Sequence, residues 1–192
     1  MNRAAIEREK LLNAILFFTK NTRNCYKLKL FKLLFFFDFQ IYRETGKSPT
    51  GLDYFAWPKG PVPARLHEEL DAPKPDMKSA LSITRIGDVD PDFPTPRLQI
   101  KPRHEFDGGC FTPRELKAMQ RLAEVYLEAT AAQMTEVSHL PGQPWHQIYE
   151  IENRPQAPIP YGLALDGKPG SLSLEQAELI AEEQRELEAL FK

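Results

Sequence analysis

The chain has 192 residues, 42% of them hydrophobic and 27% charged, with a net charge of −2. That is the size of one domain able to bury a continuous core, and its charge gives no basis for general nucleic-acid binding. Two cysteines, Cys25 and Cys110, exclude a disulfide framework and point to a reducing compartment.

Residues 3–19 carry apolar side chains at helical spacing and read as a first helix. The run 11–18 follows Glu7 and Glu9 and lacks a small-residue cleavage site, so it is not read as a signal peptide. A second helix is expected from residue 26 or 27 to Thr45, with Gly46 ending it. On a helical wheel Lys29, Lys32, Gln40, Arg43 and Lys47 form one narrow polar stripe, and nearly everything else is Leu, Ile, Phe or Tyr. Such a helix is central to a fold, wrapped by others. It is too short and too charged to span a bilayer, so a soluble cytoplasmic protein is expected. Asp38 lies opposite Lys29, in the middle of the apolar face. A buried carboxylate needs partners, and a structural tie to a backbone turn or to a Tyr or Trp donor outweighs a functional acid.

From Gly51 the period changes to that of an extended segment, with Leu52, Tyr54 and Ala56 on one side and Asp53, Phe55 and Trp57 on the other. Pro58 holds Trp57 extended, Lys59-Gly60 supplies a turn, and Pro61 and Pro63 lead into a helix over residues 64–70. Two prolines and a glycine around a tryptophan make a rigid edge that loses little entropy on binding.

The run 32–63, KLLFFFDFQIYRETGKSPTGLDYFAWPKGPVP, resembles the signature of the Panacea domain family of SocA-like antitoxins and phage-associated, GepA-like proteins. The features that carry the resemblance are Lys32-Leu33-Leu34, Asp38, Gly46, Thr50-Gly51, Ala56-Trp57 and Gly60-Pro61-Val62. The chain departs from the family pattern at Phe35 to Phe37 and at Pro58, changes that bear on the partner recognised rather than on the fold.

Residues 72–110 are rich in proline and aspartate, with strand-like islands at 81–86 and 97–101 that predict a hairpin with Leu98 and Ile100 facing in. The stretch 88–92 does not fit a calcium loop and reads as an acidic turn. Thr112 through Glu115 form a capping box before a helix with Leu116, Met119, Leu122, Ala123, Tyr126 and Leu127 as its buried stripe. A further helix spans about 132–140. Ser138-His139 followed by Pro144-Trp145 is similar to a second element of the same family and extends the resemblance over roughly residues 5–150. No metal site is expected: His139 and His146 with Cys110 or His104 match no zinc spacing. Residues 153–170 read as a Pro/Gly-rich arm, and Ser173 with Gln176 opens a last, glutamate-rich helix.

The expected fold class is α+β, mainly α-helical, a compact helical domain with a small β-hairpin or short antiparallel sheet. Residues 1–152 would form the Panacea domain, with 153–192 packed on it or extending it. Residues 1–48 carry ten Lys/Arg against four Asp/Glu, and 171–192 carry two against six, so a basic front and an acidic tail could attract each other or separate partners.

No catalytic motif is evident, and neither catalytic residues nor a cofactor are expected. The resemblance implies an antitoxin that neutralises a cognate protein toxin by direct contact, or as an adaptor to a protease; self-association is a further option. Tyr54, Phe55, Trp57, Pro58 and Lys59 are the expected partner surface. Asp38, Gly51, Gly60, Pro61, Ser138, His139 and Trp145 are expected to be structural. The alternative functions are a DNA-binding autorepressor, for which the basic helices of residues 1–48 are the candidate footprint, or a phage-associated regulator with no toxin partner.

Overall fold

The computed structural model describes residues 3–89 and 96–190. Helix α1 (Arg3–Asn21) packs on α2 (Lys27–Thr45), and α2 is the centre of the molecule. Leu30, Phe31, Leu33, Leu34 and Phe37 are wholly inaccessible to solvent, as the nearly all-apolar wheel predicts. The helix ends at Gly46, which sits at φ 71° and donates its N–H to Tyr42 O at 2.7 Å. This is the left-handed cap that glycine favours.

Around α2 lie α3 (Ala64–Asp71), α4 (Pro75–Ala80), α5 (Pro113–Val125), α6 (Ala131–His139), the short α7 (Pro144–His146) and α8 (Leu174–Leu190). Capping boxes start α5 at Thr112 and α6 at Thr130. The β structure is two antiparallel hairpins, β1 (Tyr54–Trp57) with β2 (Gly60–Pro63), and β3 (Leu81–Val89) with β4 (Pro96–Pro102). Mainly α-helical with a little β is therefore the observed class. In β4, Leu98 and Ile100 are buried, as their alternation predicts. Most of the expected acidic turn at 88–92 lies outside the described residues.

Strand β2 departs from the sequence expectation, which takes Pro61 and Pro63 only as the lead into a helix. They sit opposite Ala56 and Tyr54 in the ladder. Prolines are tolerated at such positions when the N–H they lack would have pointed away from the partner strand. The outward direction of the ladder bonds there is visible on β1. Ala56 N donates to Ala157 O at 2.9 Å, Gln156 N to Ala56 O, and Ile159 N to Tyr54 O. The far edge of β1 is thus covered by the arm, whose Tyr161 stacks on Tyr42 and donates to Leu52 O at 2.6 Å. One expected buried position differs: Leu127 is 41% exposed, because α5 ends at Val125 and the chain turns outward.

The acidic helix α8 does return to the front of the chain. Among its contacts there, Arg3 Nη1 meets Gln184 Oε1 at 3.1 Å, and Ile180 lies against Gly46. The basic front is largely neutralised locally. Arg8 pairs with Glu69 and Asp76, Lys10 with Glu115, Lys20 with Glu105, Lys27 with Asp71 and Arg43 with Asp166. Lys29 and Lys32 are completely buried. These positive charges therefore do not form the open basic face that a groove-binding helix presents to phosphates.

Candidate partner-binding site

The two lysines of the expected polar stripe turn inward. Lys29 Nζ donates to Arg23 O at 2.7 Å and Leu127 O at 3.2 Å; Lys32 Nζ donates to Lys59 O at 2.6 Å and Pro61 O at 3.3 Å. Burial holds the Lys32 amine well below its ordinary pKa, since removing an ammonium from water is costly. Lys32 thereby grips both carbonyls of the β1–β2 turn from below. Gly60 makes this possible: at φ 99°, a Cβ there would lie 2.1 Å from Lys32 Nζ and 2.9 Å from Ser138 Oγ.

The same turn is gripped from the other side. Trp145, 1% exposed, donates its indole N–H to Trp57 O at 2.8 Å. Thr135 Oγ1 reaches Lys59 O at 3.4 Å, and Ser138, wholly buried, donates to Thr135 O at 2.8 Å. His139 stacks on Trp145 at 3.5 Å with the rings 5° from parallel, and Tyr149 stacks on the other part of the column at 4.5 Å. Burial, with the positive charges of Lys32, His146 and Lys59, lowers the His139 pKa to about 4, so its ring is neutral at pH 7. Gly60, Pro61, Ser138, His139 and Trp145, far apart in sequence, therefore converge on one hairpin turn.

The second tie lies at the start of the hairpin. Asp38 is completely buried and accepts from Thr50 N at 3.0 Å, from Thr50 Oγ1, and from Tyr54 OH at 2.7 Å. Burial raises its pKa to about 6 against the pull of these donors. Gly51 follows directly, its N–H bonded to Ser48 Oγ at 3.1 Å. Both ends of β1 are thus fixed to α2, through Asp38 at one end and Lys32 at the other.

What this frame displays is narrower than the sequence suggests. Tyr54 is 1% exposed and bonded to Asp38, so it belongs to the frame and not to the partner surface; the period-two pattern places it on the Ala56 side, which is the inner one. Phe55 and Trp57 share the outer face and are half-buried, Pro58 is exposed, and Lys59 is half-buried. The Trp57 ring lies 5.2 Å from His67 of α3, whose buried Nε2 has no hydrogen-bond partner. His67 was not predicted, and only its position opposite Trp57 in the folded chain draws attention to it.

Elsewhere an open groove of about 690 Å³ runs between α1, α3 and residues 50–52. On its wall Arg8 pairs with Glu69 and Asp76 and holds Asp76 down at a pKa of about 2. Among the described residues no three His, Cys, Asp or Glu side chains come together in a set that could hold a metal, and no helix is long and apolar enough to cross a membrane.

A family model described as antitoxin SocA-like, Panacea domain, matches residues 30–146. This span runs from α2 to α7 and contains every side chain that grips the hairpin turn. The chain belongs to the SocA-like antitoxin, Panacea domain family. No curated protein and no solved structure matches the chain. In this Panacea domain the matched span ends at the Trp145 stack, while the arm of residues 153–164 beyond it completes the edge of β1.

Proposed function

We propose that this Panacea domain is a cytoplasmic antitoxin that neutralises a cognate protein toxin by direct contact, without chemistry of its own. The observation that carries the reading is the rigidity of the hairpin tip. Trp57, Pro58 and Lys59 stand on a turn whose backbone carbonyls are held by Lys32, Trp145 and Thr135. A displayed tryptophan next to proline on a pre-ordered turn meets the needs of an interface anchor, because little conformational entropy is lost on docking. Phe55, Trp57, Pro58 and Lys59 are the proposed surface, with His67 beside it. Masking of the toxin is the simplest mode, and delivery to a protease would use the same contact.

The test is genetic and direct. The protein encoded by the adjacent reading frame is expected to arrest growth when expressed alone and to be harmless when co-expressed with this chain. Growth arrest that this chain does not relieve, or no arrest at all, would remove the antitoxin reading.

A further inference from the structure

The far edge of β1 is closed by a segment outside the family-matched span. Residues 155–160 run antiparallel along it. Phe55 bridges Pro158, Ala56 N donates to Ala157 O at 2.9 Å, and Gln156 N and Ile159 N donate to Ala56 O and Tyr54 O at 2.8 Å. Exposure alternates as in a strand: Ala157 and Ile159 turn inward, while Gln156, Pro158 and Pro160 are exposed. Both ends of the segment are fixed. Arg154 N donates to the carbonyl of the buried Ile148 at 3.0 Å. Tyr161 packs on Phe39 and stacks on Tyr42, with its hydroxyl donating to Leu52 O at 2.6 Å. Between these ends the hold is slight. Ile159, 4% exposed, supplies the buried side chain. Pro155, Pro158 and Pro160 have no N–H to give the edge, and Gln156 sits at φ 63°, a conformation costly for a residue with a side chain. The turn at the other end of β1 is gripped instead by the fully buried Lys32 and Trp145.

We infer that residues 155–160 are a strap that lifts off β1 as a unit while the helical core stays folded, and that partner binding requires the strap closed. Open, it leaves β1 and β2 as a two-stranded ribbon, which is marginal in water, with Tyr54 O and both main-chain groups of Ala56 unpaired along an edge. The hairpin then loses the order that suits Phe55 and Trp57 to docking, and only the closed fraction binds. The requirement for binding rests on the reading of the hairpin as the toxin-binding surface.

Native-state hydrogen exchange on the full chain tests the strap with no partner present. The amides of Ala56, Gln156 and Ile159 are expected to exchange together, about 30-fold or more faster than those of Leu33 and Leu34 in α2. Phe37 is buried against Phe18 and Phe111, away from the strap. Phe37→Leu should therefore speed the α2 amides about tenfold and leave the strap amides at their wild-type rates. Strap amides that exchange at the α2 rate, or that accelerate with it in Phe37→Leu, would overturn the strap. Ile159→Asp is expected to hold it open: protection is lost at the Ala56 and Gln156 amides and kept in α2, and affinity for the product of the adjacent reading frame falls about tenfold or more. Loss of α2 protection as well would overturn the strap as a separate unit. An open strap with wild-type affinity would overturn its control of binding and leave the antitoxin reading standing. No binding by the wild-type protein would overturn that reading and the binding requirement with it, while the exchange rates still decide the strap.

Discussion

Gly60→Ala is expected to destabilise the protein by roughly 3 kcal/mol, the sum of backbone strain and overpacking. For a chain of this size that is a fall in melting temperature of about 6–12 °C. Gly60 lies at φ 99°, and its missing side chain leaves the space that Lys32 Nζ occupies. Alanine there must displace the ammonium from Lys59 O and Pro61 O, or lift the turn off α2. Lys32 has no second place to go, being wholly buried. Gly142, at φ 83° with nothing within 4 Å of a modest side chain, is the control: its alanine variant should cost about 1 kcal/mol, from the backbone alone. Thermal unfolding of the two variants decides the matter. Equal losses would mean that the Lys32 grip on the turn contributes nothing.

Asp38→Ala is expected to cost on the order of 3–4 kcal/mol, because it leaves Thr50 N, Thr50 Oγ1 and Tyr54 OH as buried donors without an acceptor. Asp38→Asn keeps the shape and should cost less, and it carries the pH test. The Asp38 pKa is raised by burial to about 6, above the value near 3.9 of an unfolded aspartate. In that window the folded state holds the proton more tightly, so the contribution of Asp38 is complete below about pH 4 and is lost as pH rises through about 6. His139 acts in the opposite sense. Its pKa of about 4 lies below the ordinary 6.5, so its contribution is complete above about 6.5 and is lost as pH falls toward 4. The two slopes oppose each other in the wild type. The stability advantage of wild type over Asp38→Asn, from urea unfolding, should therefore shrink between pH 4 and 6. An advantage that grows instead would mean that the three donors outweigh burial and hold the carboxylate charged.

The parts of the fold that were legible in the sequence are those set by local chemistry. Helix α2 is bounded as its composition and Gly46 predict. The capping pairs at Thr112 and at Ser173 with Gln176 appear as hydrogen bonds. Asp38, alone on an apolar face, had to find partners, and a turn amide with a tyrosine hydroxyl supplies them. What the sequence hid depends on contacts between distant residues. A helical wheel puts Lys29 and Lys32 on a solvent stripe, and nothing local reveals that Leu127 O, Lys59 O and Pro61 O wait for their ammonium groups. The same blindness affects Pro61 and Pro63, whose helix-starting chemistry is local while their ladder positions are set by β1. Tyr54 is named with Phe55, Trp57, Pro58 and Lys59 as partner surface although the alternation already sets it on the opposite side with Ala56, and the structure buries it there. The residues Ser138, His139 and Trp145 could be picked out by resemblance alone; that they close on the turn at Gly60 became visible only in three dimensions.

The role of the hairpin tip is tested most directly by the affinity of Trp57→Ala for the product of the adjacent reading frame, the proposed toxin, measured by calorimetry on protein whose melting transition remains cooperative. The hydrogen bond from Trp145 goes to the backbone carbonyl of residue 57 and survives the change, so the turn keeps its shape. Loss of an anchoring tryptophan costs about 2 kcal/mol or more, a weakening of roughly 30-fold or greater, with neutralisation lost in parallel. A folded Trp57→Ala protein that binds and neutralises the toxin at full strength would contradict the account.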